Sequence, residues 1–486
     1  MDPLVVALLV VPFAGALVCG IMPRGGKGLA AFVAALAAVF AIAIAWMAFP
    51  RFPEGWETHF GRLPWLPGDL GQRPLFGMLV DPLSSLMVLV VTVVGFMVVL
   101  YSGAYLSEKN AEHAYREGGN RYYFWLLFFF GSMVGLALSP NLLQMFIFWE
   151  MTTLCSWALI SHTHTVTAQR AGLKALVMTH IGGFGFLVAL CLLFVFTGSF
   201  EFSALGQLGP GLRTASFVLL LVAAWAKSAQ VPFHTWLPDA MEAPTPVSAY
   251  LHAAAMVKAG VYLIARLLIS VWEVPVSLGV LVAAMAMITI FMAIISYFRQ
   301  DDLKRLLAYS TIAHLGYILV GCSLGIMGST IGFRGGVLHI LCHGVAKGTL
   351  FLCAGAIAYG AGTRRISQLR GLGSKMPLTA VAFIVGALAV TGVPPFSTFW
   401  SKFFIFAGTL EVPAGAVLLV LLATESVVSF AWFLWVAQRI FLGAPSPAAA
   451  SAVDPPPAMS VALVIGIVLC VAAPVFGLPL VQWITP

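Results

Sequence analysis

Residues 217–268 read FVLLLVAAWAKSAQVPFHTWLPDAMEAPTPVSAYLHAAAMVKAGVYLIARLL. Two apolar runs flank a segment broken by Pro232, Pro238, Pro244 and Pro246, and Lys227 stands just before the first break. Proline removes a backbone donor and clashes with the preceding turn, so no helix runs undisturbed through this stretch. In hydrocarbon, such an interruption persists only where it is buried in protein or lines a hydrated cavity. A second interruption, Gly392 with Pro394 and Pro395, lies in residues 392–402, GVPPFSTFWSK, and ends on Lys402. Paired broken segments in corresponding halves predict an inverted-repeat transporter with its sites near the bilayer midplane.

The surrounding sequence agrees with that setting. Of 486 residues, 61% are hydrophobic and 9% charged, with mean hydropathy +1.00. A soluble domain needs far more charge to cover its surface. One span takes about 20 apolar residues, which predicts an all-α membrane protein of about fourteen transmembrane helices. Residues 1–121 read as three N-terminal helices, 122–270 and 271–441 as two five-helix repeats, and 442–486 as a Pro/Ala linker with a final helix. Residues 51–72, rich in Pro, Gly and Trp, read as an ordered external loop. Without a basic n-region, the first apolar run is expected to remain a helix rather than a cleaved leader.

The net charge of +7 reports orientation, not nucleic-acid binding. Arg24 and Lys27, Lys109, Arg116 and Arg121, Arg170 and Lys174, Arg299, Lys304 and Arg305, and Arg364, Arg365, Arg370 and Lys375 sit in short loops. The positive-inside rule puts those loops in the cytoplasm and both termini outside. The seven cysteines fall in apolar runs without a C-x-x-C pair and read as small buried hydrophobes. No phosphate-binding loop, H-E-x-x-H or dinucleotide fingerprint occurs, so neither a cofactor nor a metal is expected.

Each charge in an apolar run costs on the order of 3 kcal/mol at the bilayer centre and needs a partner, a water cavity or a function. Glu150, Lys227, Lys258, Lys347 and Lys402 are such charges. Glu150 and Lys227 are predicted to pair; a purely structural ion pair is the alternative. His252 and Lys258, six residues apart on one helix, would face different neighbours. His339, His343 and Lys347 recur every four residues and share one helical face, as a proton path requires. A metal site there would need further ligands, and lysine is a poor one. Lys402 is expected to face inward, while His180, His314 and Glu425 are further intramembrane polar groups with no partner named by sequence.

Residues 227–249, KSAQVPFHTWLPDAMEAPTPVSA, resemble the signature of the antiporter-like membrane subunits shared by respiratory complex I, membrane-bound hydrogenases and Mrp-type Na⁺/H⁺ antiporters. Phe148-Trp149-Glu150 and residues 302–310, 343–351 and 392–402 extend the resemblance over essentially the whole chain. It is strongest to the N-terminal part of the Mrp A subunit, through His252 to Lys258, His343 with Lys347, and Ser401-Lys402. The resemblance implies fourteen helices in two inverted five-helix repeats, with helices 7 and 12 broken. It makes Glu150, Lys227, Lys347 and Lys402 the family's ion-path residues, with His252 and Lys258 linking two half-channels. Ending at Pro486, the chain reads as a compact, split or D-like subunit.

The expected function is a proton/cation-translocating subunit of a multisubunit Mrp-type antiporter in the cell inner membrane. Its partners would be other membrane subunits, H⁺ and Na⁺. It would not be an enzyme by itself. The alternative is the pumping subunit of a complex I-like oxidoreductase or membrane-bound hydrogenase, with the electrons in other chains. A non-conducting scaffold is the third class, disfavoured by the full set of buried charges.

Overall fold

The structure, a computed structural model, describes residues 3–23, 27–48, 55–62, 74–115, 117–270 and 274–486. Arg24, Arg116 and most of the 51–72 loop lie outside the described residues. Helices α1 (Pro3–Ile21) and α2 (Lys27–Ala48) lead to strands β1 (Trp56–Arg62) and β2 (Pro74–Val80). There follow α3 (Pro82–Tyr105), α4 (Gly119–Ala137), α5 (Leu142–Ile160), α6 (Val166–Thr197), α7 (Pro210–Lys227) and α8 (Trp236–Asp239). The middle of the chain holds α9 (Thr245–Ala253), α10 (Met256–Ser270), α11 (Val276–Tyr297), α12 (Leu303–Ile326) and α13 (Thr330–Ala361). The remainder is α14 (Pro377–Thr391), α15 (Ser397–Thr409), α16 (Gly415–Phe441), α17 (Pro447–Ala450) and α18 (Pro457–Val481).

Among the described residues, eleven helices are long and apolar enough to cross a membrane. Their outer faces expose Phe32, Val177, Ile181, Phe184, Val420 and Val427, side chains suited to lipid. Helix α13 is instead buried along its whole membrane-crossing stretch, which is where a helix apolar all round belongs. It packs against α3, α9, α12, α14, α15 and α18, so anything it carries sits at the centre of the molecule.

The Pro-rich segments break as read. After α7 the chain passes through a 3-10 turn, α8 and a second 3-10 turn before α9. Between α14 and α15, Gly392 adopts φ +90°. Side chains satisfy the backbone groups left free at both places. Lys304 Nζ donates to Met241 O at 2.8 Å and Ala243 O at 2.7 Å, and Lys402 Nζ donates to Thr391 O at 3.2 Å.

Two features differ from the sequence reading. Part of the external segment is an antiparallel hairpin, with Glu57 opposite Leu79. It forms because β2 has a partner in the bundle: Gly77 exchanges two hydrogen bonds with the Gln144 amide, at 2.8 and 3.0 Å. The chain between His252 and Lys258 is also not one helix, because α9 ends at Ala253 and α10 starts at Met256. The N–H groups of Ala254 and Ala255 both reach Tyr250 O.

One buried ion pair ties α3 to α10. Asp81 caps α3, accepting from Ser84 N–H at 2.8 Å, and Arg266 donates to both its oxygens. Tyr262, hydrogen-bonded to Arg266, donates to Ala137 O at 2.6 Å and brings in α4. Burial acts to raise the Asp81 carboxyl, but Arg266 and Ser84 outweigh it and hold the group below the usual carboxylate range. A depressed folded value stabilises the fold above the ordinary carboxylate range, and that stability is lost as pH falls through the folded value. Asp81→Asn leaves Arg266 uncompensated and is expected to cost roughly 3–5 kcal/mol, read as a lowered unfolding temperature of the purified protein in detergent. The difference from wild type should vanish only in strong acid.

Candidate functional site

The buried ionisable groups form a series across the molecule. At one side Glu150, on α5, meets His180 of α6, with Oε2 and Nδ1 2.9 Å apart. Its other oxygen, Oε1, is buried with no partner among the described residues. Gly183 makes this possible, since a Cβ there would stand 2.4 Å from Oε1. The His180 side chain is 68% exposed, halfway along a lipid-facing helix.

Lys227 ends α7, fully buried. Its ammonium donates to Trp149 O at 2.8 Å and Thr153 Oγ1 at 2.5 Å, and lies 4.8 Å from the Trp149 ring centroid. The direct Glu150–Lys227 pair expected from sequence does not form: no ion pair joins them among the described residues. Side chains of adjacent positions on a helix diverge by about 100°. Lys227 approaches α5 at the Trp149 carbonyl, while Glu150 turns toward α6. Its field still reaches the lysine.

His252 and Lys258 serve different neighbours, as expected, although the break between α9 and α10 separates them. The His252 ring packs on Phe351 at 4.6 Å, with both nitrogens buried and unpartnered among the described residues. Lys258 Nζ shares a 2.6 Å hydrogen bond with His343 Nδ1.

From His343 a stack of rings begins. His343 lies 4.9 Å from His314 of α12, and His314 lies 5.3 Å from His339. His314 Nδ1 and His339 Nε2 are 3.0 Å apart, and His339 Nδ1 is 2.8 Å from Ser401 Oγ. Ser401 donates to Thr398 O at 3.0 Å. His339 therefore donates from Nδ1 and accepts at Nε2 from His314, whose own Nε2 is left as a lone pair. That atom and His343 Nε2 are both buried without a partner among the described residues. Stacked rings send their nitrogens outward in parallel planes, a poor geometry for one ion. No metal-holding group of three His, Cys, Asp or Glu side chains occurs among the described residues.

Past the rings, Tyr317 stacks on His314 and His339 at 5.7 and 5.8 Å. Its hydroxyl donates to Glu425, and Glu425 lies 3.8 Å from Lys402 Nζ. Lys402 faces inward, donating to Ser426 Oγ at 2.9 Å and sitting 4.6 Å over the Tyr317 ring. Lys347 stands apart from its two stripe companions. It donates to Leu307 O at 3.3 Å, lies 5.4 Å from the Phe433 ring, and makes no ion pair among the described residues.

The structure thus brings His339, His343, Lys258 and Lys402 into one cluster and adds His314, Glu425, Tyr317 and Ser401. His314 and Tyr317, three residues apart on α12, share a face that the spacing alone could have revealed.

A family model described as NADH:quinone oxidoreductase/Mrp antiporter, TM, matches residues 139–429, which hold this entire series. The chain belongs to the NADH:quinone oxidoreductase/Mrp antiporter membrane family. A second model, NADH-Ubiquinone oxidoreductase (complex I), chain 5 N-terminus, matches residues 68–117 of this family member. The large A-type component of the Na(+)/H(+) antiporter of Alkalihalophilus pseudofirmus is 38% identical over 413 residues, 78% of this chain and 49% of that one. The chloroplastic NAD(P)H-quinone oxidoreductase subunit 5 of Zygnema circumcarinatum is 40% identical over 346 residues, 67% and 47% of the two chains. A chain of the Mrp complex from Dietzia sp. DQ12-45-1b superposes with TM-score 0.85 at 30% identity, over 99% of this chain and 51% of that one. The chain spans about half the length of the curated relatives it matches.

Tyr317→Phe keeps the ring stack but removes the hydroxyl that holds Glu425 and reaches Leu422 O at 2.8 Å. It is expected to cost roughly 1–3 kcal/mol, because a buried carboxylate loses a donor. Thermal unfolding in detergent checks this, and an unchanged midpoint would mean that Glu425 is held by other groups.

Proposed function

We propose that the chain is the proton/cation-translocating subunit of a multisubunit Mrp-type Na⁺/H⁺ antiporter. Protons would move along Glu150, Lys227, His252, Lys258, His339, His343, Lys347 and Lys402, with His314 and Glu425 completing the route. The observation that carries this reading is the hydrogen-bonded and stacked run from Lys258 through His343, His314 and His339 to Ser401. One water between the two free Nε2 atoms, of His343 and His314, would close the gap between those rings. Burial opposes a lysine's charge and a nearby carboxylate restores it, so each protonation step biases the next. That coupling is what exchange of one cation for another requires.

In this reading the chain crosses the inner membrane about fourteen times, with α7–α8, α9–α10 and α14–α15 each counted as one interrupted pass. Residues 122–270 and 271–441 are two inverted five-helix units, and both termini lie outside. The exposed His180 ring supports a multisubunit setting, because a polar ring beside Glu150 is costly against lipid and is well placed under a neighbouring protein. Complex I-like pumping is the second reading, supported by the match of residues 68–117 to the complex I chain 5 N-terminus. Identifying the proteins that co-purify with the intact complex separates the two.

Glu150→Ala and Lys227→Ala are each expected to abolish ion-coupled ΔpH in inverted vesicles while the complex still assembles. Lys347→Arg, permanently charged, is expected to block proton transfer with little loss of folded protein. Wild-type ΔpH in any of the three would sink the relay.

A further inference from the structure

The last turn of α16 meets the loop between α13 and α14 at a cavity of about 330 Å³, lined by Arg370, Trp435, Gln438, Arg439, Leu442 and Gly443. Two backbone hydrogen bonds clamp the loop there, Gly371 N–H to Leu442 O at 3.2 Å and Ser446 N–H to Arg370 O at 3.0 Å. The clamp sets the guanidinium of Arg370 against Gly443, where a Cβ would stand 2.8 Å from Nε. Gly443 also has φ +89°, a left-handed conformation that glycine adopts freely. Both arginines are exposed, and neither makes an ion pair among the described residues, unlike Arg364 nearby with its carboxylates Glu112, Glu242 and Asp302.

One cation in a last helical turn answers the helix dipole. Here two guanidinium groups and an amide surround one cavity, more than the dipole asks for. The remaining wall is apolar and open sideways: Trp435 is 47% and Leu442 61% exposed. Trp435 stacks on Trp432 at 4.6 Å, and Trp432 packs edge-on against Phe298. Tryptophan at the end of a membrane helix marks the depth of the lipid headgroups. Guanidinium groups prefer phosphate, often in bidentate fashion.

We infer that this cavity is a binding site for an anionic phospholipid, whose phosphate lies between Arg370 and Arg439 and whose acyl chain runs along Trp435 and the exposed face of α16. The site is separate from the ion path and does not depend on it. Its place in the arginine- and lysine-bearing loops gives those residues a second role beyond setting orientation.

The test uses the purified intact complex in nanodiscs containing phosphatidylglycerol or phosphatidylcholine brominated at the 6,7 positions of the acyl chain. Quenching assigned to Trp435, by difference from Trp435→Phe, is expected to favour the brominated phosphatidylglycerol by about fivefold per arginine. The preference should fall stepwise in Arg370→Gln and Arg439→Gln and vanish in the double variant. Each single variant also stands alone should the double fail to assemble. Equal quenching by both lipids in wild type, or an undiminished preference in both single variants, would overturn the proposal. Inorganic phosphate, at ionic strength matched with chloride, should leave the preference intact; its selective loss would reassign the cavity to a free anion and overturn the lipid site.

Discussion

A lysine ammonium near the centre of a bilayer costs on the order of 3 kcal/mol even on the lenient insertion scale, and the interior is arranged around answers to that cost. Lys227 takes a carbonyl and a hydroxyl of α5, Lys258 takes a histidine, Lys304 takes the carbonyls freed at the first break, and Lys402 takes one at the second together with Glu425. Among the described residues, only Lys402 of these has a carboxylate within ion-pair distance. Proton occupancy at the others is set by dipoles and neighbouring cations rather than by fixed counter-charges. A buried charge locked to a full counter-ion is stable and inert; one held by carbonyls and imidazoles can release its proton to a neighbour.

The broken helices belong to the same logic. An unwound turn exposes carbonyls in a medium without water to satisfy them, so it must be answered by side chains. Those side chains are the lysines themselves. The ionisable residue and the interrupted backbone stabilise one another, which explains why Lys227 and Lys402 sit beside proline-rich segments rather than within smooth helices. Helix α13, intact and buried on all sides, bridges the two broken regions with its two histidines.

Much of this was legible in the sequence, and the reason is contrast. An ionisable residue in an apolar run stands out individually, and proline announces its break. Partners are harder, because contact is made across the fold. His314 meets His339 across 25 residues, and Tyr317 meets Glu425 across 108. Nothing local distinguishes His314 from a core histidine. The expected Glu150–Lys227 contact failed because direction on a helix depends on which neighbour approaches: Lys227 arrives at the carbonyl before Glu150. The interruption at Ala254 and Ala255 was also invisible, since alanine favours helix and packing alone imposes the break. The β1–β2 hairpin was unreadable for the same cause, as its docking group is Gln144 in a distant helix.

The central claim is that the histidine stack conducts between the two halves, and His314 tests it most directly. It carries no lysine-like charge and touches both His339 and His343. His314→Phe keeps the ring in the stack and removes its nitrogens. In proteoliposomes containing the intact complex, cation-driven proton movement should fall to that of protein-free vesicles while assembly and thermal stability hold. Proton movement at the wild-type rate in that variant would contradict the account.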